Sequence, residues 1–231
     1  MVRVRYTRPG SLLSYLSMNA REIAGLLLDA KAVKISFDPP FTYSSGMRAP
    51  IYTDNRVLVS LVKERDLVAE GLRQLWKSLG LTGEVYFSGT ATAGIPWAAI
   101  LADRTDMPMI YVRPKPKDHG TGKQIEGSLP AGREVVVVED LVTTGGSSLG
   151  TVAALRGEGG AHVVHLLAIF TYGFEKMYQA LDEGGVELHV LTDFETLLDV
   201  ARERGMIDAD QYAKILEYKS DPEGWAAKMG L

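Results

Sequence analysis

Apolar residues follow Asn19 at Ile23, Leu26, Leu27 and Ala30, the i, i+3, i+4, i+7 spacing of one helical face. Glu22 stands where a capping box that starts at Asn19 needs its second member. A second helical pattern, Leu61, Val68, Leu72, Leu75, Trp76 and Leu79, predicts a helix over 60–79, stopped by Gly80 and Gly83. The stretch between them, 35–56, is rich in Pro, Gly and aromatics and cannot be helical throughout. It reads as short antiparallel strands around a turn at Ser45-Gly46. From residue 85 onward, short apolar runs alternate with helical patterns. Strands are expected over 85–87, 109–112, 134–138, 163–170 and 187–191, with helices over 97–104, after Gly146, and over 174–181. Two helices, 194–204 and 208–218, close the pattern. Such alternation predicts an α/β fold, a mainly parallel central sheet flanked by helices. Residues 1–18 carry no period and read as an N-terminal extension to one domain over 19–231. Within it, segment 35–56 forms a small hood over the sheet's carboxyl edge.

One run is richer than the rest. Val135-Val136-Val137-Val138 is unbroken and β-branched, as in a strand buried on both faces. It ends in Glu139 and Asp140, then Leu141, Val142, Thr143, Thr144, Gly145, Gly146, Ser147 and Ser148. Leu149, Val152, Ala153 and Leu155 follow and suit a helix. In strand–turn–helix crossovers, ligands bind beyond the carboxyl ends of the strands. Gly145 and Gly146 let the backbone approach a ligand closely. Their N–H groups, the hydroxyls of Thr143, Thr144 and Ser147, and the start of the helix would hold a phosphate. Two carboxylates repel phosphate, but they accept hydrogen bonds from a pair of sugar hydroxyls and suit a sugar carbon that becomes cationic. The combination points to a phosphorylated sugar. Glycines and hydroxyls alone would read as a helix cap. The run is neither a P-loop nor G-x-G-x-x-G. Residues 88–96 repeat the device on another strand, with Pro96 near the first turn of the next helix, and mark a second anion subsite.

Composition narrows the class. The 231 residues are 46% hydrophobic and 23% charged, ordinary globular values. A formal net charge of −4 leaves no global basic field for nucleic acid. The absence of cysteine excludes disulfides and thiolate metal sites and fits a reducing cytoplasm. No apolar run is long enough to span a bilayer, and Leu12, Leu13 and Leu16 are broken by serines and Tyr15, so neither a membrane partner nor a secretory leader is expected. Against this acidic background, 113–124 gathers Arg113, Lys115, Lys117, His119 and Lys123 among prolines and glycines. It lies between two sheet strands and suits a mobile lid that closes on a polyanion. His162, His165 and His189 have no partners at metal-ligand spacing and read as structural.

The run 135–148 resembles the phosphoribosyl-pyrophosphate (PRPP) binding motif of the type I phosphoribosyltransferases: apolar residues, two acids, two apolar residues, then a Thr/Ser/Gly-rich turn. Arg113, Lys117, His119 and Gly120 are similar to the Arg-x-x-x-Lys-x-His-Gly catalytic loop of the orotate phosphoribosyltransferases. Gly94-Ile95-Pro96 resembles their pyrophosphate loop, and 41–46 with Pro50-Ile51-Tyr52 resembles their hood. The tail segments 169–173 and 191–197 look like one bacterial branch, so the resemblance runs from about residue 19 almost to the end.

That resemblance implies transfer of a 5-phosphoribosyl group from PRPP to orotate in pyrimidine biosynthesis, giving orotidine 5′-monophosphate and pyrophosphate. It implies Arg113, Lys117, His119 and Asp140 as catalytic residues. PRPP binding falls to Glu139, Asp140, Leu141, Val142, Thr143, Thr144, Gly145, Gly146, Ser147, Thr92 and Ala93, and orotate binding to Thr143, Tyr52 and Thr53. Mg²⁺ is the implied cofactor, carried by PRPP near Glu139 and Asp140 with no direct protein ligand. A homodimer whose catalytic loop is shared between subunits is implied too, as is a non-proline cis peptide at Ala91–Thr92.

Four departures stand out. Ser44, Pro114 and Ala93 occupy positions where many relatives have Lys, and the relatives' Arg on a later strand has no counterpart around Thr171. The candidates to pair with the orotate carboxylate are then Arg48 and Arg56. Two rival readings are a phosphoribosyltransferase for another base and a PRPP-sensing regulator. The first class lacks the Arg-x-x-x-Lys-x-His-Gly loop. The second calls for a nucleic-acid-binding segment, and has no need of His119.

Overall fold

The computed structural model describes residues 18–43, 45–115 and 123–230. Helix α1 (Ala20–Asp29) leads into four short strands, β1 (Val33–Ile35), β2 (Phe41–Thr42), β3 (Arg48–Ala49) and β4 (Ile51–Thr53). A 3₁₀ turn over Asn55–Ser60 joins them to α2 (Val62–Ser78). The body then runs β5 (Val85–Thr90), α3 (Gly94–Thr105), β6 (Met109–Val112), β7 (Ile125–Glu126), β8 (Glu134–Val142) and α4 (Gly146–Gly157). It ends with β9 (His165–Thr171), α5 (Glu175–Glu183), β10 (Glu187–Asp193), α6 (Phe194–Glu203), α7 (Ala209–Ser220) and α8 (Trp225–Lys228).

Six strands make one sheet in the order β10-β9-β8-β5-β6-β7, parallel except for β7, which runs antiparallel to β6. The valine run explains why β8 is central. Val136 and Val138 face the core made with Leu27, Leu72, Trp97 and Leu197 from α1, α2, α3 and α6. Val135 and Val137 face the opposite core, with Val152 and Leu155 of α4 and Met177 and Leu181 of α5. All four valines are fully buried, each removing enough apolar surface from water to contribute on the order of 1.5–3 kcal/mol. A strand with one polar face could not separate two cores.

The expected strand over 134–138 runs on through both acids to Val142, and the one over 85–87 runs on to Thr90. Neighbouring strands supply the reason. Leu141 and Val142 pair with Phe170 and Thr171, so backbone hydrogen bonding continues where the apolar pattern stops. The two-residue β7 and the four-residue α8 were too short to leave a period. Strand β7 gathers the ends of the cationic segment, with the Arg113 N–H donating to the Gln124 carbonyl at 3.0 Å.

The hood is built as expected, from antiparallel pairs β1–β4 and β2–β3. Gly46 takes φ +85° in its turn, and its N–H donates to the Tyr43 carbonyl at 2.8 Å. Side-chain hydrogen bonds tie the hood region to the sheet. Asn55 Nδ2 donates to the Asp140 carbonyl at 2.7 Å, and the Thr53 and Tyr172 hydroxyls share a bond of 3.0 Å. The capping box at Asn19 and Glu22 forms as its spacing requires.

The reading of the histidines needs correction. Parallel pairing sets His165 opposite Glu187, and His189 follows two residues along on the same face. His165 Nδ1 lies 3.2 Å from His189 Nε2 although the two residues are 24 apart in sequence. Only the β9–β10 register makes this pair, and no local spacing could. Among the described residues, no helix is long and apolar enough to cross a membrane.

Candidate active site

Strand order reverses between β5 and β8, because the chain goes from β5 outward to β6 and then returns to β5's other side. Such a switch point opens a crevice beyond the carboxyl ends of the two strands. Both polar turns singled out in the sequence follow these strands. Helix α3 starts hard against β8: a Cβ on Gly94 would sit 2.2 Å from the Val138 carbonyl oxygen, so only glycine fits. The Ala91–Thr92 bond before it is cis, as the resemblance implied.

A cavity of about 310 Å³ lies in this crevice, between Thr90, Ala91 and Ala93 on one side and Glu139, Asp140 and Ser147 on the other. Thr92 belongs to the same turn as Ala93. Glu139 is 4% exposed and Asp140 9%. One Glu139 oxygen accepts from the Ser147 and Ser148 hydroxyls at 3.2 and 3.1 Å. Burial, and then the adjacent charge of Asp140, push the Glu139 carboxyl up to about 8, against the pull of those hydroxyls. Burial also raises Asp140, opposed by its own and Leu141's backbone N–H groups.

The raised Glu139 has a stability signature. Between its ordinary value of 4.5 and about 8, the folded chain holds a proton that the unfolded chain has lost. Stability therefore falls as pH rises through that window and levels off above it. Glu139→Gln should melt at a higher temperature than the parent protein at pH 8, with the advantage shrinking towards pH 5. An equal advantage at both pH values would mean that the buried carboxyl is ionised throughout.

The turn after the acids is shaped for an anion. Gly145 takes φ +79°, and α4 begins at Gly146 with no side chain capping its first turn. Thr143 and Thr144 open instead onto a larger cavity of about 990 Å³. Leu141 and Thr53 line both spaces, so the two cavities are neighbours. Val142 points into the core, and its carbonyl accepts from the Thr171 hydroxyl at 2.8 Å.

Tyr43, Tyr52, Thr53 and Tyr172 wall the larger cavity. The Tyr172 ring stacks on Phe174 with centroids 5.6 Å apart and planes 3° off parallel. Burial raises both the Tyr43 and Tyr172 hydroxyls above their usual value, which keeps them protonated. Among the described residues, the cations lining it are Lys176 and Lys219. Lys219 Nζ sits 2.8 Å from a Glu195 oxygen and 5.6 Å from the centroid of the Phe194 ring. It is also 3.6 Å from where a Cβ on Gly173 would stand. Neither arginine proposed from the sequence is in this space. Arg56 borders the smaller cavity in a two-bond pair with Asp54, at 2.6 and 3.0 Å, and Arg48 borders neither. Sequence reading missed Lys219 because α7 carries no motif of its own and lies far along the chain from Gly173. Only the fold brings it beside Gly173.

Of the catalytic loop, Arg113 stands just past β6. Its Nη1 is 3.9 Å from a Glu126 oxygen, and it lines neither cavity. Lys117, His119, Gly120 and Ser44 lie outside the described residues.

A mainly parallel sheet with paired acids and a glycine-bearing turn at its switch point is the architecture of a phosphoribosyltransferase. The family model for the phosphoribosyl transferase domain matches residues 64–183. Over 207 residues the chain is 47% identical to the orotate phosphoribosyltransferase of Cutibacterium acnes, covering 90% of this chain and 95% of that one. It is 48% identical over 206 residues to the orotate phosphoribosyltransferase of Bacillus pumilus, with 88% and 96% covered. Among solved structures, the orotate phosphoribosyltransferase from Aeropyrum pernix is similar with a TM-score of 0.69 and 34% identity, covering 80% of this chain and 99% of that one. The chain belongs to the orotate phosphoribosyltransferase family.

Proposed function

We propose that the chain transfers the 5-phosphoribosyl group from PRPP to orotate, giving orotidine 5′-monophosphate and pyrophosphate. One observation supports this most directly: a small acidic cavity and a larger aromatic one lined by Lys219 share Leu141 and Thr53, and the turn after the acids leads into an uncapped helix start. The 5′-phosphate suits the turn 143–147, and the ribose hydroxyls suit Glu139 and Asp140. The turn at Ala91–Ala93 suits the pyrophosphate. Orotate, a flat anion, suits the wall made by the Tyr52 and Tyr172 rings and Thr53, with Thr143 at its ribose side.

Breaking the C1–pyrophosphate bond builds positive charge on the ribose and negative charge on the leaving group. Asp140 and Glu139 face the former once ionised. Arg113, Lys117 and His119 answer the latter, preorganised charge where charge develops. Orotate attacks as an anion, so no strong general base is needed. Oxygen-only donors beside a pyrophosphate suit Mg²⁺, a hard cation that keeps most of its water, which would neutralise the leaving group near Glu139 and Asp140. Arg113 turned towards Glu126 fits a loop that serves the neighbouring subunit, hence a homodimer with two shared sites. We place the protein in the cytoplasm.

The test follows the ultraviolet loss of orotate on adding protein, PRPP and Mg²⁺, with uracil and hypoxanthine in parallel. Orotate alone should be consumed, and EDTA should stop it. Consumption of another base, or of none, would overturn the proposal.

A further inference from the structure

We propose that His165, Glu187 and His189 form a binding site for one divalent transition-metal ion of the Zn²⁺ class, separate from the catalytic cleft. Three donor atoms converge there. His165 Nδ1 is 3.2 Å from His189 Nε2, and a Glu187 oxygen is 3.5 Å from the first and 3.8 Å from the second. A tetrahedral ion with metal–nitrogen bonds of about 2.0–2.1 Å separates its ligands by about 3.3–3.4 Å. The three atoms therefore already stand close to three corners of such a tetrahedron, with the fourth left for water.

The backbone makes the arrangement rigid. Glu187 pairs with His165 across the β9–β10 ladder, and His189 follows two residues along β10 on the same face. Ligands on paired strands hold their spacing better than ligands on loops. The imidazoles are largely covered, at 15% and 25% exposure, whereas Glu187 is 65% exposed and can swing onto an ion. Donor type sets the metal. Two imidazoles and one carboxylate suit Zn²⁺, Co²⁺ or Ni²⁺, while Mg²⁺ prefers an all-oxygen octahedron. His165 opens β9, and Thr171 ends it beside the cleft. Six residues of strand put the metal about 20 Å from the chemistry at about 3.3 Å per residue. An ion here would clamp the edge strand β10 to its neighbour.

The experiment is a Co²⁺ titration of the tag-free full chain without PRPP, read by visible absorption, followed by Zn²⁺ displacement. One equivalent of Co²⁺ should give the intense bands of a four-coordinate site, and Zn²⁺ should abolish them. Loss of an outer-sphere partner already weakens metal sites ten- to a hundredfold, so His165→Asn and His189→Asn should each weaken binding by at least about a hundredfold. His162→Asn should leave it unchanged. Should the histidine variants misfold, Glu187→Gln reads the same site from an exposed position and should weaken binding too. Binding that none of these variants weakens, or no saturable binding at all, would overturn the site. Orotate turnover with Mg²⁺ should stay near the parent value in the ligand variants that fold, and a large loss there would place the cluster in the catalytic machinery instead.

Discussion

Lys117→Ala lowers kcat by about two to three orders of magnitude, the loss expected when one preorganised charge is removed from a developing anion. Steady-state rates with both substrates saturating will read it. A near-normal kcat would remove the cationic loop from the chemistry. The same variant tests how the site is assembled. Lys117→Ala and Asp140→Ala subunits should each be nearly inactive alone. Mixed in one dimer, they rebuild one complete site if the loop of one subunit serves the acids of the other. Verified heterodimers with no recovered activity would mean that each site is built within a single subunit. Arg113, aimed at Glu126 and lining neither cavity, is the observation that favours sharing.

Lys219→Ala raises KM for orotate about ten- to a hundredfold, since a hydrogen bond to a charged group is worth about 1.5–3 kcal/mol. The KM for PRPP should move little. Lys219→Arg should recover most of the loss. Lys219 already gives one of its donors to Glu195, which lines the same cavity and is 69% exposed. Removing the lysine therefore also leaves a bare carboxylate facing an incoming anion. The double variant Lys219→Ala/Glu195→Gln separates the two effects, because the repulsive part disappears with Glu195. If KM for orotate is unchanged in Lys219→Ala, the carboxylate is held elsewhere, and Arg56 at the edge of the smaller cavity becomes the next candidate.

What the chain order reveals about this protein depends on how far apart the cooperating residues lie. Val135–Val138, the acids after them and the turn at Gly145 are neighbours in sequence, so strand, turn and chemistry can be read together. The hood was readable for the same reason, its turn at Gly46 lying between segments that pair with each other. Strand ends were not. Glu139 to Val142 extend β8 because β9 supplies hydrogen bonds, which no property of these four residues announces. Lys219 and the His165–His189 pair were hidden more deeply. Each gains its meaning from an element far away in the chain, Lys219 from the end of β9 and His189 from its start. A resemblance to relatives could not mark Lys219 either, since it rests on local motifs and its cation on a later strand is missing here.

Lys219 belongs to α7, whereas the acids and the turn are complete by Ser148. On a ribosome, which delivers the chain from its N-terminal end, the residues of the two halves of the cleft therefore emerge at different times. The acids and turn proposed for the sugar phosphate precede Lys219 by some seventy residues, about four to fourteen seconds at about 5–20 residues per second. At Ser148 the chain still lacks β9, whose hydrogen bonds carry β8 on to Val142, so the acids and the turn are made before the strand that holds them in place. On the proposed reading, the charge that would select the base is among the last parts of the cleft to be synthesised.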